Sequence, residues 1–480
     1  MKHSTNGIVK FIFVLLGAVL FCVLSLAGFI FFHVSELKKA QPLEVSQEEK
    51  TTALKTFYSR HKINNKFPPL NSIENFLPVK SSSSKINPSA KKIELPKIDA
   101  ESYILIHANT GTILAESNAD KIIPPASLTK LVTIYTMLQK PEFKDLEKVV
   151  FPPKEAWAIF LPKGAAWMGL GENQSLSIEE LIRGMAVCSG NDAALAAALL
   201  TEGSLEKFTL KMNEAVKTMG LKSTRFEDSS GLSEKNQTTA RDFALFSLHY
   251  LKQYPENLKK FHSVNEISYP QKHNILIKKN SDGLKDFQMK PATNTLLKKI
   301  EGCDGLKTGF IYESGFNISL TSQKNGERFI AVILGGHGKN FTEGIFKREQ
   351  NSIKLMNFAF DNFKSFDIRE HNKIKKSVSV LGSNLNVKTS AFIPLIADEG
   401  FSQDYLTVFK NDERHIEQVI ILPDVIMAPL FAGQQIGRIE YRIKDSDIVL
   451  KTIPLICPLD IKEGSSFRKF IDGFYQFYKK

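Results

Sequence analysis

Ser127 and Lys130 stand three residues apart in PPASLTKLVTIYTML, just after a proline pair. A serine hydroxyl is a poor nucleophile at neutral pH and needs a base to take its proton. Helix positions three apart share a face, so the lysine amine can reach the hydroxyl. Acting as base requires that amine to be neutral part of the time, which burial and a second nearby cation would bring about. Alone the pair is weak evidence, because Ser-x-x-Lys recurs by chance in a chain this rich in both residues.

Two further motifs follow in order. Ser189-Gly190-Asn191 interrupts a helical pattern, and Lys307-Thr308-Gly309 immediately precedes a run of alternating residues. Each has a bland reading. Ser-Gly-Asn is a common turn with Asn191 as a helix cap, and Lys-Thr-Gly suits an exposed strand end. Their joint occurrence with the first motif, in this order, is specific.

These groups need elements to hold them. SYILIHANTGTILAES reads as strand, turn at Asn109–Gly111, strand. Leu131, Ile134, Tyr135 and Leu138 make one apolar helical stripe after Ser127. Ser177 and Glu180 form a capping-box pattern before LIRGMAV, and Gly220 ends a helix over LEKFTLKMNEAVKTMG. After Gly309 the period becomes two, with FNISLTSQ and RFIAVILGG flanking Asn325-Gly326, a hairpin signal. A helix over SIKLMNFAFDNFKSF closes this α/β (α+β) region with its antiparallel sheet, over residues 98–366. Residues 367–462 read as a small all-β domain of short strands.

The ends carry membrane signals. Phe11–Phe32 runs without a charge after Lys2 and Lys10, so 1–33 is expected to be an uncleaved signal-anchor or transmembrane segment. Residues 34–97 are low in apolar residues and rich in Ser, Pro and Lys around SSSSKINPSAKK, and are read as a flexible tether. In 463–480, Phe467, Phe470, Ile471, Phe474 and Tyr478 share one helical face with basic flanks, as an amphipathic helix on an anionic bilayer would. Docking of that face on the β domain is the alternative.

The 480-residue chain has a net charge of +12, which favours an anionic partner such as lipid or a wall polymer. No zinc finger, RNA-recognition aromatics or Arg-rich arm is found, so nucleic acid is not expected as a partner. The four cysteines form no C-x-x-C pair and are expected as free thiols, without a metal site.

The sequence resembles the low-molecular-mass penicillin-binding proteins, the serine-type D-alanyl-D-alanine carboxypeptidases. The likeness rests on PPASLTK, LIRGMAVCSGNDAA, MGLKSTRF, TARDFAL, DGLKTGF and FIAVILGG, and continues through APLFAGQQIGRIEY to the terminal helix. The trio Ser-x-x-Lys, Ser-x-Asn and Lys-Thr-Gly belongs to that family and to class A β-lactamases. The resemblance implies a transpeptidase/β-lactamase-like fold with Ser127 as nucleophile, Lys130 as base, Ser189 as proton relay and Asn191 as a holder of Lys130 and the substrate amide. It implies that Lys307 and Thr308, with Gly309 in the same strand, read a terminal carboxylate. It also implies that the backbone N–H groups of Ser127 and Phe310 form the oxyanion hole, and that Arg348 completes the carboxylate site, with Lys339 and Lys347 as alternatives across a long 337–346 loop. Peptidoglycan stem peptides would be the substrate, β-lactams covalent inhibitors, and no metal or cofactor would enter. The catalytic domain would sit on the extracytoplasmic (periplasmic) side of the cell membrane; no oligomeric state is implied. Two competing readings remain: a β-lactamase, for which YPENLKK around Glu256 does not supply the deacylation motif, and a non-catalytic wall-binding protein, which the three intact motifs disfavour.

Overall fold

The computed structural model describes residues 5–39, 44–60, 71–72, 94–276, 288–368, 377–385, 392–394, 396–397, 405–410, 416–423, 426–444, 449–470 and 472. The helices are α1 (Thr5–Lys39), α2 (Gln47–Arg60), α3 (Thr129–Leu138), α4 (Ile178–Ala186), α5 (Asn191–Glu202), α6 (Leu205–Thr218), α7 (Ala240–Gln253) and α8 (Phe341–Asn362). The principal strands are β1 (Ala100–His107), β2 (Thr112–Ser117), β3 (Cys303–Ile311), β4 (Gly315–Lys324), β5 (Glu327–Gly336), β6 (Phe363–Asp367), β7 (Tyr405–Phe409), β8 (Ile416–Ile421), β9 (Gln435–Ile443) and β10 (Val449–Ile456). They form two compact units: Lys66–Asp367 with Ser402–Arg414, and Met1–Asn65 with Ile368–Phe401 and His415–Lys480.

In the first unit the sheet runs β2, β1, β5, β4, β3, all antiparallel, with the two-residue strand Asn71–Ser72 added parallel to β2. The turn between β4 and β5 has Asn325 and Gly326 both at positive φ, as the hairpin signal requires. Phe329 to Leu334 of β5 are all buried, so this strand has cover on both faces. α7 and α8 both pack against it. β3 lies at the sheet edge, which leaves one row of its backbone groups without a strand partner.

Two helices depart from the expected pattern. The stripe on α3 predicts one buried face, yet every residue from Thr129 to Leu138 is buried. α3 is therefore wrapped on all sides, and it contacts α4, α5 and α6. α8 begins at Phe341, capped by the Asn340 side chain, which accepts from the Glu343 N–H at 2.9 Å. The expected long 337–346 loop is thus only four residues, 337–340, and Arg348 lies on a helix.

The boundary expected at 366/367 is crossed by the chain: β6 pairs antiparallel with β7 from the region read as the β domain. His107, buried on β1, ties this pair down, with Nδ1 2.8 Å from Thr407 Oγ1 and Nε2 2.8 Å from Glu327 Oε2.

In the second unit β8, β9 and β10 form a meander, with Ile396–Ala397 on its far edge, beside smaller pairings of Ser377–Leu381. α1 contains an apolar stretch, Lys10–Phe32, of 23 residues, none of them buried, long enough to cross a bilayer. Within the segment read as a tether, α2 is ordered and packed: Ala53 and Phe57 form a buried cluster with Ile456 of β10, flanked by Leu54 and Ala432. A Cβ on Gly433 would sit 2.6 Å from Ala53 O and 2.7 Å from Phe57 N, so α2 rests directly on that backbone. The low-complexity remainder of the tether lies outside the described residues. So do Ile471, Phe474 and Tyr478 of the terminal helix. Phe467 and Phe470 are described and are 60% and 53% exposed, while the Asp472 carboxylate is buried and accepts from Gly382 N at 2.7 Å and Arg468 Nε at 2.9 Å.

Candidate active site

Ser127 lies in a single 3-10 turn, Ala126–Leu128, that leads directly into α3. Its amide therefore points out of a helix N-terminus, where the dipole favours negative charge. Ala126 takes φ +51, an uncommon conformation for a residue with a side chain, and so marks a held, strained turn. Asn317 of β4 helps hold it, donating to Pro124 O at 2.9 Å. β3 completes the wall. A Cβ on Gly309 would lie 2.9 Å from Pro125 O and 3.1 Å from Ser127 N, so only glycine lets the strand come this close.

Lys130 is fully buried, and its ammonium donates to Ser127 Oγ (3.0 Å), Asn191 Oδ1 (2.7 Å) and Ser230 O (2.5 Å). Burial pulls its pKa down to about 7, against the opposing pull of Asp228 and Asp192. Burial, rather than a neighbouring cation, is thus the main reason this amine can be neutral. Lys307 does feel its cationic neighbours: it is lowered first by burial, then by Lys130 and Arg348.

Ser189 and Asn191 follow α4, whose capping box is formed as expected by Ser177 and Glu180. Ser189 takes φ +61, and the Asn191 N–H, at the start of α5, donates to Ala166 O at 2.9 Å. With Asn191 Oδ1 on Lys130, the two helices bring the second motif onto the first.

Lys307 and Thr308 are buried on β3. Lys307 Nζ donates to Thr308 O at 2.9 Å, and Thr308 Oγ1 donates to Thr293 Oγ1 at 2.9 Å. Arg348, on α8, is buried within electrostatic reach of Lys307, and burial lowers it to about 10. Its Nε is buried without a hydrogen-bond partner among the described residues. Lys347 instead pairs with Asp99 at 3.0 Å and Glu343 at 3.4 Å, and Lys339 is exposed. Lys307, Arg348 and the Thr308 hydroxyl thus gather two buried cations and a polar group beside the edge strand β3. Phe310, next in β3, has its ring 4.6 Å from that of Phe316 and 5.1 Å from that of Phe341, so its side chain is committed to an aromatic cluster.

Three supporting groups were not visible in the motifs. Asp192 is buried and its two oxygens accept from the N–H groups of Met168, Gly169 and Leu170 at 2.7–3.0 Å, fixing that loop beside Asn191. Asp228 accepts from Ser230 N at 3.1 Å and Gly231 N at 2.6 Å, shaping the turn whose carbonyl holds Lys130. Thr293 bridges Thr308 and Lys307. The run DSSG signals a turn, but nothing in it signals that Ser230 O faces a lysine.

A serine hydroxyl held against a buried lysine, with two further buried cations nearby, is an arrangement suited to nucleophilic catalysis. Comparison with known proteins fixes the class. The peptidase S11 family, D-alanyl-D-alanine carboxypeptidase, matches residues 89–338, and the C-terminal domain of penicillin-binding protein 5 matches residues 363–463. The D-alanyl-D-alanine carboxypeptidase DacA of Escherichia coli K12 is 31% identical over 387 residues, covering 79% of this chain and 87% of its own length. DacF of Bacillus subtilis is 29% identical over 386 residues, covering 80% and 89%. The structure of penicillin-binding protein 5 from Haemophilus influenzae superposes with a TM-score of 0.63 at 28% identity, covering 77% of this chain and all of that one. The chain belongs to the S11 family of serine-type D-alanyl-D-alanine carboxypeptidases.

Proposed function

We propose that this enzyme removes the terminal D-alanine from peptidoglycan stem pentapeptides, with each site residue in the following role. Ser127 Oγ attacks the carbonyl carbon of the penultimate D-Ala as its proton passes to Lys130 Nζ. The tetrahedral oxyanion is held by the N–H groups of Ser127 and Phe310. Ser189 gives its proton to the departing D-Ala nitrogen and takes one from protonated Lys130, the C–N bond breaks, and an ester to Ser127 remains with Lys130 neutral again. Water then hydrolyses the ester and restores the hydroxyl. Asn191 orients Lys130 and the substrate amide. Lys307, Thr308 and Arg348 bind the terminal carboxylate, which distinguishes a chain end from an internal peptide bond. β-Lactams acylate the same serine. The observation that carries the reading is the 3.0 Å contact from Lys130 Nζ to Ser127 Oγ, made by an amine whose pKa is about 7.

The length and exposure of Lys10–Phe32 support anchoring in the cell membrane, with the catalytic unit on the extracytoplasmic side and the exposed Phe467 and Phe470 at the lipid interface. Two measurements test the proposal. Labelled penicillin should mark Ser127, and mass spectrometry should show loss of one D-Ala from a pentapeptide; Ser127→Ala should abolish both. A variant lacking residues 1–32 but exported by a cleavable signal should still fractionate partly with membranes, and a wholly soluble product would refute the role of the terminal helix.

A further inference from the structure

The bank of the site formed by Trp167 and Lys290 has no role in the steps above. Lys290 lies in a short strand, Met289–Pro291, paired antiparallel with Glu266–Ser268. Its ammonium is 2.7 Å from Trp167 O and 3.0 Å from the centroid of the Trp167 ring. Trp167 is held from both sides: Ala166 O accepts from Asn191 N, and the next three N–H groups are bound by Asp192. Beyond Lys290, the Thr293 N–H donates to Val187 O at 3.0 Å, just before Cys188 and Ser189. Cys188 lies within electrostatic reach of both Lys290 and Lys307. The Lys290 charge is thus fixed beside the Ser189–Asn191 turn by two independent tethers.

That charge is unspent. Lys290 forms no ion pair among the described residues. The neighbouring carboxylate, Asp192, is buried and already accepts four backbone N–H groups. Trp167 remains 40% exposed beside it. A half-buried ammonium backed by an indole face is a receptor for an anion on an aliphatic stem.

Its distance from the carboxylate cleft indicates which substrate group it meets. Thr293 Oγ1 touches Thr308 Oγ1 at 2.9 Å. Lys290 is three residues before Thr293, so its backbone lies at most roughly 10 Å away. A peptide holding its terminal carboxylate at Thr308 spans roughly 7 Å over its last two residues, which brings the side chain of the residue before them within reach of Lys290.

Resting on the D,D-carboxypeptidase reading above, we propose that Trp167 and Lys290 form a subsite for a carboxylate on the side chain of the third residue from the substrate's C-terminus. The enzyme then prefers stem peptides whose diamino residue bears a free carboxylate over those with lysine at that position.

The test uses the full-length enzyme and two peptides ending in X-D-Ala-D-Ala, with X either 2,6-diaminopimelate or lysine, which differ by one carboxylate. The readout is the ratio of kcat/KM between them, in which any loss common to both substrates cancels. The wild type should favour the carboxylate peptide by roughly tenfold. Lys290→Met should bring the ratio near one, and Lys290→Glu should invert it. A wild-type ratio near one, or a preference that survives both substitutions, overturns the proposal. If neither peptide is hydrolysed, the carboxypeptidase reading fails instead. The subsite is then judged by how each peptide slows labelled-penicillin acylation of Ser127, and equal competition overturns it.

Discussion

Gly309 passes so close to Ser127 that a single added methyl group would sit 3.1 Å from the serine amide nitrogen. The third residue of the Lys-Thr-Gly motif therefore acts through space it leaves empty. Gly309→Ala should push β3 away from the catalytic turn and lower the acylation rate by about a hundredfold, the usual effect of a misplacement near 1 Å. Stopped-flow measurement with a fluorescent penicillin reads this directly; an unchanged rate would show that the turn can move aside.

Lys130 sets the acid limb of the pH profile. With a pKa of about 7, its neutral fraction falls as pH drops, so acylation should fall by about tenfold per pH unit below that point. Lys130→Arg, always protonated, should abolish acylation at every pH. Stability moves in a linked way. The folded lysine releases its proton near 7 and the unfolded one near 10.5, so between those values the unfolded chain binds more protons. This lysine therefore makes the protein more stable as pH rises through that window, and Lys130→Met should remove that slope from denaturant midpoints.

Arg348 offers two opposite signs in one variant. Its guanidinium is buried and its Nε lacks a partner among the described residues, an arrangement that costs folding energy. Arg348→Gln should cut kcat/KM for a D-Ala-terminated peptide by about a hundredfold, yet leave the melting temperature equal or higher. A parallel fall in both would mean that the arginine is structural.

Asp192 is the reverse case. Asp192→Ala strands the N–H groups of Met168, Gly169 and Leu170, and should destabilise the fold by about 3 kcal/mol or more. Chemical unfolding measures the loss, and Asp192→Asn, which keeps an acceptor, should recover part of it.

The contact between Ser127 and Lys130 was legible because their relation is local: one helical turn separates them. Ser189, Asn191, Lys307 and Thr308 were legible because short motifs carry them. The parts that tune these groups were not. Ser230 contributes a backbone carbonyl, which any residue could supply. Thr293 and Asp192 act through partners distant in sequence or through the main chain, and residue type does not announce either. Arg348 could be named only among three cations; burial separates it from Lys339 and Lys347, and burial is a property of the packed α8. The packing of α2 was hidden for another reason. Its sequence QEEKTTALKTFYSR is polar, and two small contact points, Ala53 and Phe57, suffice because Gly433 presents bare backbone.

That last contact has a mechanical consequence. Only residues 40–46 separate the end of α1 from the start of α2. Even fully drawn out, that leash reaches about 28 Å. Because α2 is bolted to β10, the β-sheet unit cannot drift along a long string; it is held on a short bracket. Strain applied at the N-terminal helix would pass into the sheet through Phe57 rather than dissipate in slack chain.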